Sequence, residues 1–561
     1  MTNAISRVFC ATLFALIGAA AAQAQSTSTL FHNGRIVLHD VKGSVVDALL
    51  VSNGSVVAAG TYAALSVRPD ARNAVLEDLQ GATAVPGLQD AHGSLAGLAS
   101  SFDTLDLSGT TSYADLIARV VERAAQQKEG TWIRGRGWNQ NNWSTPEYPH
   151  HFLLSTAVPK HLVYLERVDG NVALVNSAAL EAAKLGGQLE PAPKIKGGRV
   201  VLDESKRATG ILLDTACRTV ERLIPDPDAP TRVRQFMAAQ ALLLENGVTC
   251  VHDMGTSRST LALLEELRRT QKLMLRVVAY IDGREELKAE TLAGLPKPPD
   301  PLDMLSVPGV YLVIDGALDS YGAALLDDYS DAKNERGRLL LTEDELSVRL
   351  ALVARAGLQP AVRAVGDRAN RMALDAFARM AVAVPGFREL RPRVEQALVV
   401  APKDWPRFPE LGVIPSMQPA HAAADLSWVP ERLGAERARG AYAWRALAPE
   451  LGRLAFGSDF PHETPDPLRG LFAARTRRTL DLSDQPVVLD QRLEGAAALS
   501  GFTSGAAFAV FQDDRRGRLE PGFACDMTVL SVDPTSAAPD EILKATVRAT
   551  VINGVVVWRA R

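Results

Sequence analysis

Cysteine is nearly absent: four in 561 residues are too few for a disulfide framework, and their wide spacing makes no metal cluster. Cys10 falls in an N-terminal processing segment. Cys217, Cys250 and Cys525 then remain, as buried thiols or as one disulfide with a thiol left over. Runs of Lys and Arg are missing and the formal net charge is −4, which excludes the basic footprint of a nucleic-acid binder. No apolar run reaches the roughly 18 residues of a membrane span. Histidine is also sparse. The nine are His32, His39, His92, His150, His151, His161, His252, His421 and His462, and no two of them have His-x-His or His-x-x-x-His spacing.

What is present reads as a large α/β protein with a leader. Arg7, an apolar stretch at 8–22 and Ala22-Gln23-Ala24 have the order of a signal peptide cleaved near Ala24, which predicts a periplasmic or secreted protein. After it come short β-branched runs with hairpin signals at Asn33-Gly34 and Asn53-Gly54. The far C-terminus has the same texture around Asn553-Gly554. Between these ends strand and helix patterns alternate. Thr342 with Glu345 predicts a capping box opening an amphipathic helix. Repeated βα units of this extent predict a TIM-like (β/α)8 barrel. The expected organisation is a leader at 1–24, a first sandwich part at 25–84, the barrel at 85–484 with an insertion at about 100–240, and a second sandwich part at 485–561.

Several motifs in order then resemble one family. They are Val85-Pro-Gly-Leu-Gln-Asp-Ala-His92, Trp132-Ile-Arg-Gly-Arg-Gly-Trp138, Arg167-Val-Asp-Gly170 with Asn176-Ser-Ala-Ala-Leu180, Val365-Gly-Asp-Arg-Ala-Asn370, Gln418-Pro-Ala-His421, Gly457-Ser-Asp-Phe-Pro461 and Leu519-Glu-Pro-Gly522. Together they resemble the amidohydrolase superfamily, in its family 3 branch with N-substituted formamide deformylase-like proteins. The resemblance implies a barrel with a split β-sandwich and metal-dependent hydrolysis of a non-peptide C–N bond, with an Asp after the last strand as general base.

The resemblance also implies metal ligands that this sequence lacks. Where the family has His-x-His, the chain has His92 and Ser94. Tyr311 stands in place of the bridging Lys, Arg363 and Gln396 in place of two His, and Asp169-Gly-Asn171 in place of Asp-Gly-His. His92 and Asp459 alone survive, as vestigial ligand positions. No cofactor is predicted on this reading, although a single divalent metal held by His92, Asp459 and one of His252 or His462 stays open.

The candidate catalytic residues are accordingly Asp459, Tyr311 and Arg363. Arg363 is expected to replace the metal as counter-ion of Asp459, or to bind an anionic ligand group. Tyr311 could act as an acid if Arg363 lowers its pKa, or simply fill space. Ser94 could be a nucleophile beside His92, although no Gly-x-Ser-x-Gly elbow surrounds it. His92, Ser94, Gln396, His421, His252, Asp169 and Asn171 are the candidate ligand-binding residues, and Trp132, Trp138 and Trp143 are expected to pack. The partner expected is a small-molecule ligand or substrate. Three functions follow: a hydrolase with altered or metal-independent chemistry, a non-catalytic binding pseudoenzyme, or a mononuclear metal hydrolase.

Overall fold

The computed structural model describes residues 28–561 apart from 169, 171, 186–194, 196–197, 285–286, 296–303, 451 and 481–487. The leader stretch at 1–24 and the candidates Asp169 and Asn171 therefore lie outside the described residues. No described helix is long and apolar enough to cross a membrane.

The centre is an eight-stranded parallel sheet that curls towards closure. Its strands are β1 (Leu88–Gly93), β2 (Val248–Thr256), β3 (Arg276–Asp282), β4 (Leu305–Val313), β5 (Gln359–Ala364), β6 (Arg393–Gln396), β7 (Ile414–Met417) and β8 (Ala455–Phe456), each paired with the next. The chain past β8 meets the end of β1: Asp459 N donates to the His92 carbonyl at 2.7 Å, and Ser94 N to the Phe460 carbonyl at 2.9 Å. Gly457 makes this approach possible, because a Cβ there would stand 2.4 Å from His92 N. Nearly every residue of β2 is buried, as parallel strands covered on both faces require.

Helices pack outside the barrel. Ala229–Glu245 and Arg258–Arg269 bury Leu243, Leu261, Leu264 and Leu267 against Val251, Val277 and Ala279. The helix Glu343–Arg355 opens on the expected capping box: Glu345 N donates to Thr342 Oγ1 at 3.2 Å, and Thr342 N to Glu345 Oε2 at 2.7 Å.

Both ends of the chain build a β-sandwich. One sheet has four strands, Thr29–His32, Ala48–Ser52, Ser55–Gly60 and Val75–Asp78. The other joins Arg35–Val37, Val45–Val46 and Thr83–Pro86 to the C-terminal strands Met527–Leu530, Val547–Ile552 and Val555–Arg559, the two halves meeting where Thr83–Pro86 pairs with Met527–Leu530. Phe31, Leu49, Val51, Met527 and Val551 fill the space between them. Asn53-Gly54 and Asn553-Gly554 form the expected hairpin turns, with both φ angles of each pair positive. Asn33-Gly34 does not. The strands flanking it belong to different sheets, and the turn carries the chain across the sandwich.

A further six-stranded sheet lies between residues 105 and 214, with Trp132–Trp138 and Leu162–Arg167 in parallel register near its middle. Trp138 and Trp143 stack at 5.9 Å in its core, and Trp132 is half-buried against its other face. Cys217, Cys250 and Cys525 are all buried free thiols, so the alternative of a disulfide does not hold.

Candidate active site

The site begins with a charge buried inside the barrel. Arg393 opens β6 and its side chain has 0% exposure, as does that of Glu395 two residues on. Residues i and i+2 of a strand face the same way, so both point into the barrel. Arg393 Nε sits 2.7 Å from Glu395 Oε1. Its remaining nitrogens donate to the Ala91 carbonyl, Ser416 Oγ and the Tyr280 hydroxyl, each at 3.0 Å. The Glu395 carboxylate passes the charge upward to His92, whose Nδ1 lies 2.7 Å from Oε2. An ionised carboxylate only accepts, so Nδ1 carries the proton and Nε2 is the atom turned towards Asp459. That gap, Nε2 to Oδ1, is 3.6 Å.

Asp459 is held from several sides. Gln396 Nε2 donates to Oδ2 at 2.8 Å, and His421 Nε2 stands 3.8 Å from the same oxygen. The 3.6 and 3.8 Å gaps are too long for hydrogen bonds, which leaves Oδ1 able to accept from a substrate or water. Asp459 also has φ of +63°, a left-handed conformation costly for a non-glycine residue and concentrated at functional sites. Removal from water works against its charge. The positive potential of His92, His421, His462 and Arg363 outweighs that and holds the carboxyl below its ordinary value. Glu395 is likewise depressed, with burial opposed first by Arg393 and then by His92.

Three sequence expectations are corrected here. Arg363 makes no ion pair with Asp459: its Nη1 donates to the Asp315 carbonyl at 3.0 Å, and only its longer-range field reaches Asp459. The arginine inside the barrel is Arg393, and its partner is Glu395, which in turn meets His92. Tyr311 is not acidified, because burial pushes its hydroxyl well up and Arg363 only partly opposes this. It remains a proton-bearing donor at neutral pH, its ring edge-on to His92 at 5.7 Å between centroids. His252 does not line the cavity. It is fully buried beside Arg393, Nδ1 to Nη1 at 3.2 Å, and burial followed by Arg393 and His92 drives its pKa well below the ordinary value.

Ser94 stands where the resemblance would put a ligand, but it is the N-cap of the helix Leu95–Ser101, its Oγ accepting from Gly97 N at 3.2 Å. The donor chemistry around Asp459 is thus one imidazole Nε2, a second imidazole, an amide and a guanidinium. Among the described residues no group of three or more His, Cys, Asp or Glu side chains could hold a metal ion.

Above these residues the barrel mouth opens into a cavity with two connected lobes. The smaller, about 310 Å³, is walled by His92, Ser94, Tyr311 and Asp459 from the barrel and by Arg134, Arg136, Tyr164 and Glu166 from the sheet at 105–214. The larger, about 1070 Å³, shares Asp459, Tyr311 and Arg136 and adds Arg363, Gln396 and His421. Sequence reasoning missed Arg393 and Arg136. Arg136 lay within a quoted motif, but nothing in the sequence distinguished it from Arg134 two residues before.

A model of the amidohydrolase family matches residues 75–558. Protein LONG AFTER FAR-RED 3 of Arabidopsis thaliana is 30% identical over 540 residues, covering 94% of this chain and 90% of that protein. The N-substituted formamide deformylase of Arthrobacter pascens is 24% identical over 549 residues, covering 95% of this chain and 98% of that protein. Among solved structures, an uncharacterized metal-dependent hydrolase from Pyrococcus horikoshii OT3 is similar, with a TM-score of 0.76 and 28% identity, over 91% of this chain and 99% of its own.

Proposed function

The chain belongs to the amidohydrolase family, and from that premise we propose that it is an exported hydrolase of non-peptide C–N bonds whose chemistry runs without the binuclear metal centre. The single observation that carries this reading is the Arg393–Glu395–His92–Asp459 chain of charge. Arg393 and Glu395 neutralise one another there, His92 links that pair to Asp459, and the retained general base keeps a free oxygen towards the cavity. A dinuclear centre does not fit this donor set, since Ser94 is engaged as a helix cap and Arg363 brings a cation into the same space.

On this reading Asp459 takes a proton from water as the oxygen attacks the amide carbonyl carbon. The Tyr311 hydroxyl, kept protonated by its burial, donates to the developing oxyanion. The C–N bond then breaks, and the proton on Asp459 passes to the departing nitrogen, so a carboxylic acid and an amine leave. Gln396 holds Asp459 in place, and Glu395 fixes which nitrogen His92 presents.

Turnover of a panel of N-substituted formamides and N-acyl amines, with and without chelator, tests this. Hydrolysis is expected to survive chelation, elemental analysis to find no stoichiometric metal, and Asp459→Asn to lower kcat/KM by about 10²–10⁴-fold. Activity lost to chelator and restored by zinc would overturn it. Binding without turnover of any amide would assign the chain to the pseudoenzyme reading instead.

A further inference from the structure

Two guanidiniums of the cavity wall, Arg136 and Arg363, form no direct ion pair with a protein carboxylate among the described residues. Arg136 is half-buried and faces both lobes, and among the described residues no acidic side chain lies within ion-pair distance of it. Arg363, also half-buried, makes its hydrogen bond to the backbone carbonyl of Asp315 and has no carboxylate within ion-pair distance among the described residues, although its field reaches the carboxyls of Asp315 and Asp459. The remaining guanidinium shared by the two lobes, Arg284, differs: it grips Asp282 with Nη2 to Oδ2 at 2.7 Å. Withdrawing a guanidinium from water without a counter-charge is costly, and charge-assisted bidentate bonding to a carboxylate is what Arg does best.

The two arginines come from different layers of the protein. Arg363 stands on β5, while Arg136 stands on the strand Trp132–Trp138, where the register slips between Arg136 and Trp138. Gly137 takes φ of +93° at that slip, and a Cβ on it would meet Ser108 Oγ at 2.4 Å, so the bulge requires glycine. Bulges of this kind re-aim the neighbouring side chain. His462, three residues beyond Asp459 and accessible from the cavity, lies in the field of both guanidiniums. Of the acidic groups in the same wall, Asp459 accepts from Gln396 and keeps one oxygen open, Asp425 accepts from the Tyr442 hydroxyl at 2.5 Å, and Asp106 accepts from Ser108 N at 2.9 Å. Glu166, Asp319 and Glu463 complete the wall without pairing to Arg136 or Arg363.

We propose that the preferred ligand is an amide bearing its own carboxylate, held by Arg136 and Arg363 so that its acyl carbon meets Asp459. This rests on the hydrolase reading for the reaction, but not for the binding. Arg136 and Arg363 set specificity, and they select the anionic amide by supplying the counter-charge that a neutral amide would leave unused.

The test pairs N-formyl and N-acetyl amino acids with their decarboxylated amides, for example N-formylalanine with N-ethylformamide, reading both turnover and calorimetric binding. The acid is expected to have at least a tenfold higher kcat/KM than its neutral partner. Arg136→Gln is expected to raise KM for the acid at least tenfold, more than it lowers kcat, and Arg136→Lys to recover part of the loss. Arg363→Gln is expected to act in the same direction, with melting temperatures reporting whether each variant is folded. Equal kcat/KM for both members of every pair would overturn the anion site and leave the hydrolase reading standing. The reverse outcome, in which no amide is cleaved but the acids still bind in an Arg136-dependent way, would remove the hydrolase reading and keep the anion site. A folded Arg136→Gln protein with the wild-type preference for acids would also overturn the proposal.

Discussion

At the scale of residues, Arg393 and Glu395 decide how the barrel tolerates its own charges. A buried ion pair is a weak source of net stability, yet removing one partner strands the other in a medium that solvates it poorly. Arg393 has no route to water, with 0% side-chain exposure, and Glu395 is its carboxylate partner. Glu395→Gln is therefore expected to destabilise the fold by about 3–5 kcal/mol, read as a shift of the denaturation midpoint at unchanged slope. A loss below about 1 kcal/mol would mean that the Ala91 carbonyl, Ser416 and Tyr280 suffice to hold the guanidinium. The sequence could not single out this pair. Arg393-Val-Glu395 reads equally well as an exposed strand face, and only closure of the barrel puts both side chains inside.

At the scale of elements, the junction of β1 with the segment after β8 assembles the site from its two ends. Asp90 serves that junction, accepting from Ser458 Oγ at 2.6 Å and from the backbone of Ser458 and His92 at 3.0 and 3.1 Å. Ser94 then ends β1 by starting a helix, and its hydroxyl is committed to Gly97 N. Ser94→Ala is expected to cost about 1 kcal/mol of stability, the value of an N-cap, while amide hydrolysis stays within tenfold of wild type. A folded Ser94→Ala protein with activity reduced by orders of magnitude would restore Ser94 as a nucleophile. The strand positions were legible from their apolar runs, but some ends were not. The apolar run continues to Val400, yet β6 stops at Gln396 because Gln396 and Ala397 turn to φ of +71° and +42°. Nothing in their side chains announces that turn, which brings Gln396 against Asp459.

At the scale of the whole molecule, the sandwich and the barrel are joined by buried polar contacts as well as by the chain. Arg276 of β3 reaches Asp526 with Nε to Oδ2 at 2.7 Å, and His39 Nε2 lies 3.3 Å from Ser504 Oγ on a helix beside the barrel. Burial, and after it the charge of Arg518, lowers the His39 pKa to about 4 against a weaker pull from Asp40. The unfolded chain binds this proton at about pH 6.5, the ordinary value for histidine. The stability that His39 contributes is therefore complete above that pH and is lost as the pH falls through about 4. Wild type and His39→Gln are expected to differ in stability at pH 7.5 by more than at pH 4.5, in paired denaturation curves. A difference independent of pH would show that His39 does not titrate differently in the two states.

Two kinds of information are separable in this protein. The family, the order of strands and helices, and the turns at Asn53-Gly54 and Asn553-Gly554 were determined by the sequence alone. Local backbone preference, hydrophobic period and residue chemistry are properties of short stretches. Which charge answers which was decided only by the tertiary structure. Arg363 was the natural counter-ion for Asp459 on paper, but barrel closure sets His92, held by Glu395, beside Asp459 and leaves Arg363 facing the cavity with Arg136. Ion pairing depends on distances of a few ångströms between residues up to hundreds of positions apart, and no local pattern encodes those distances.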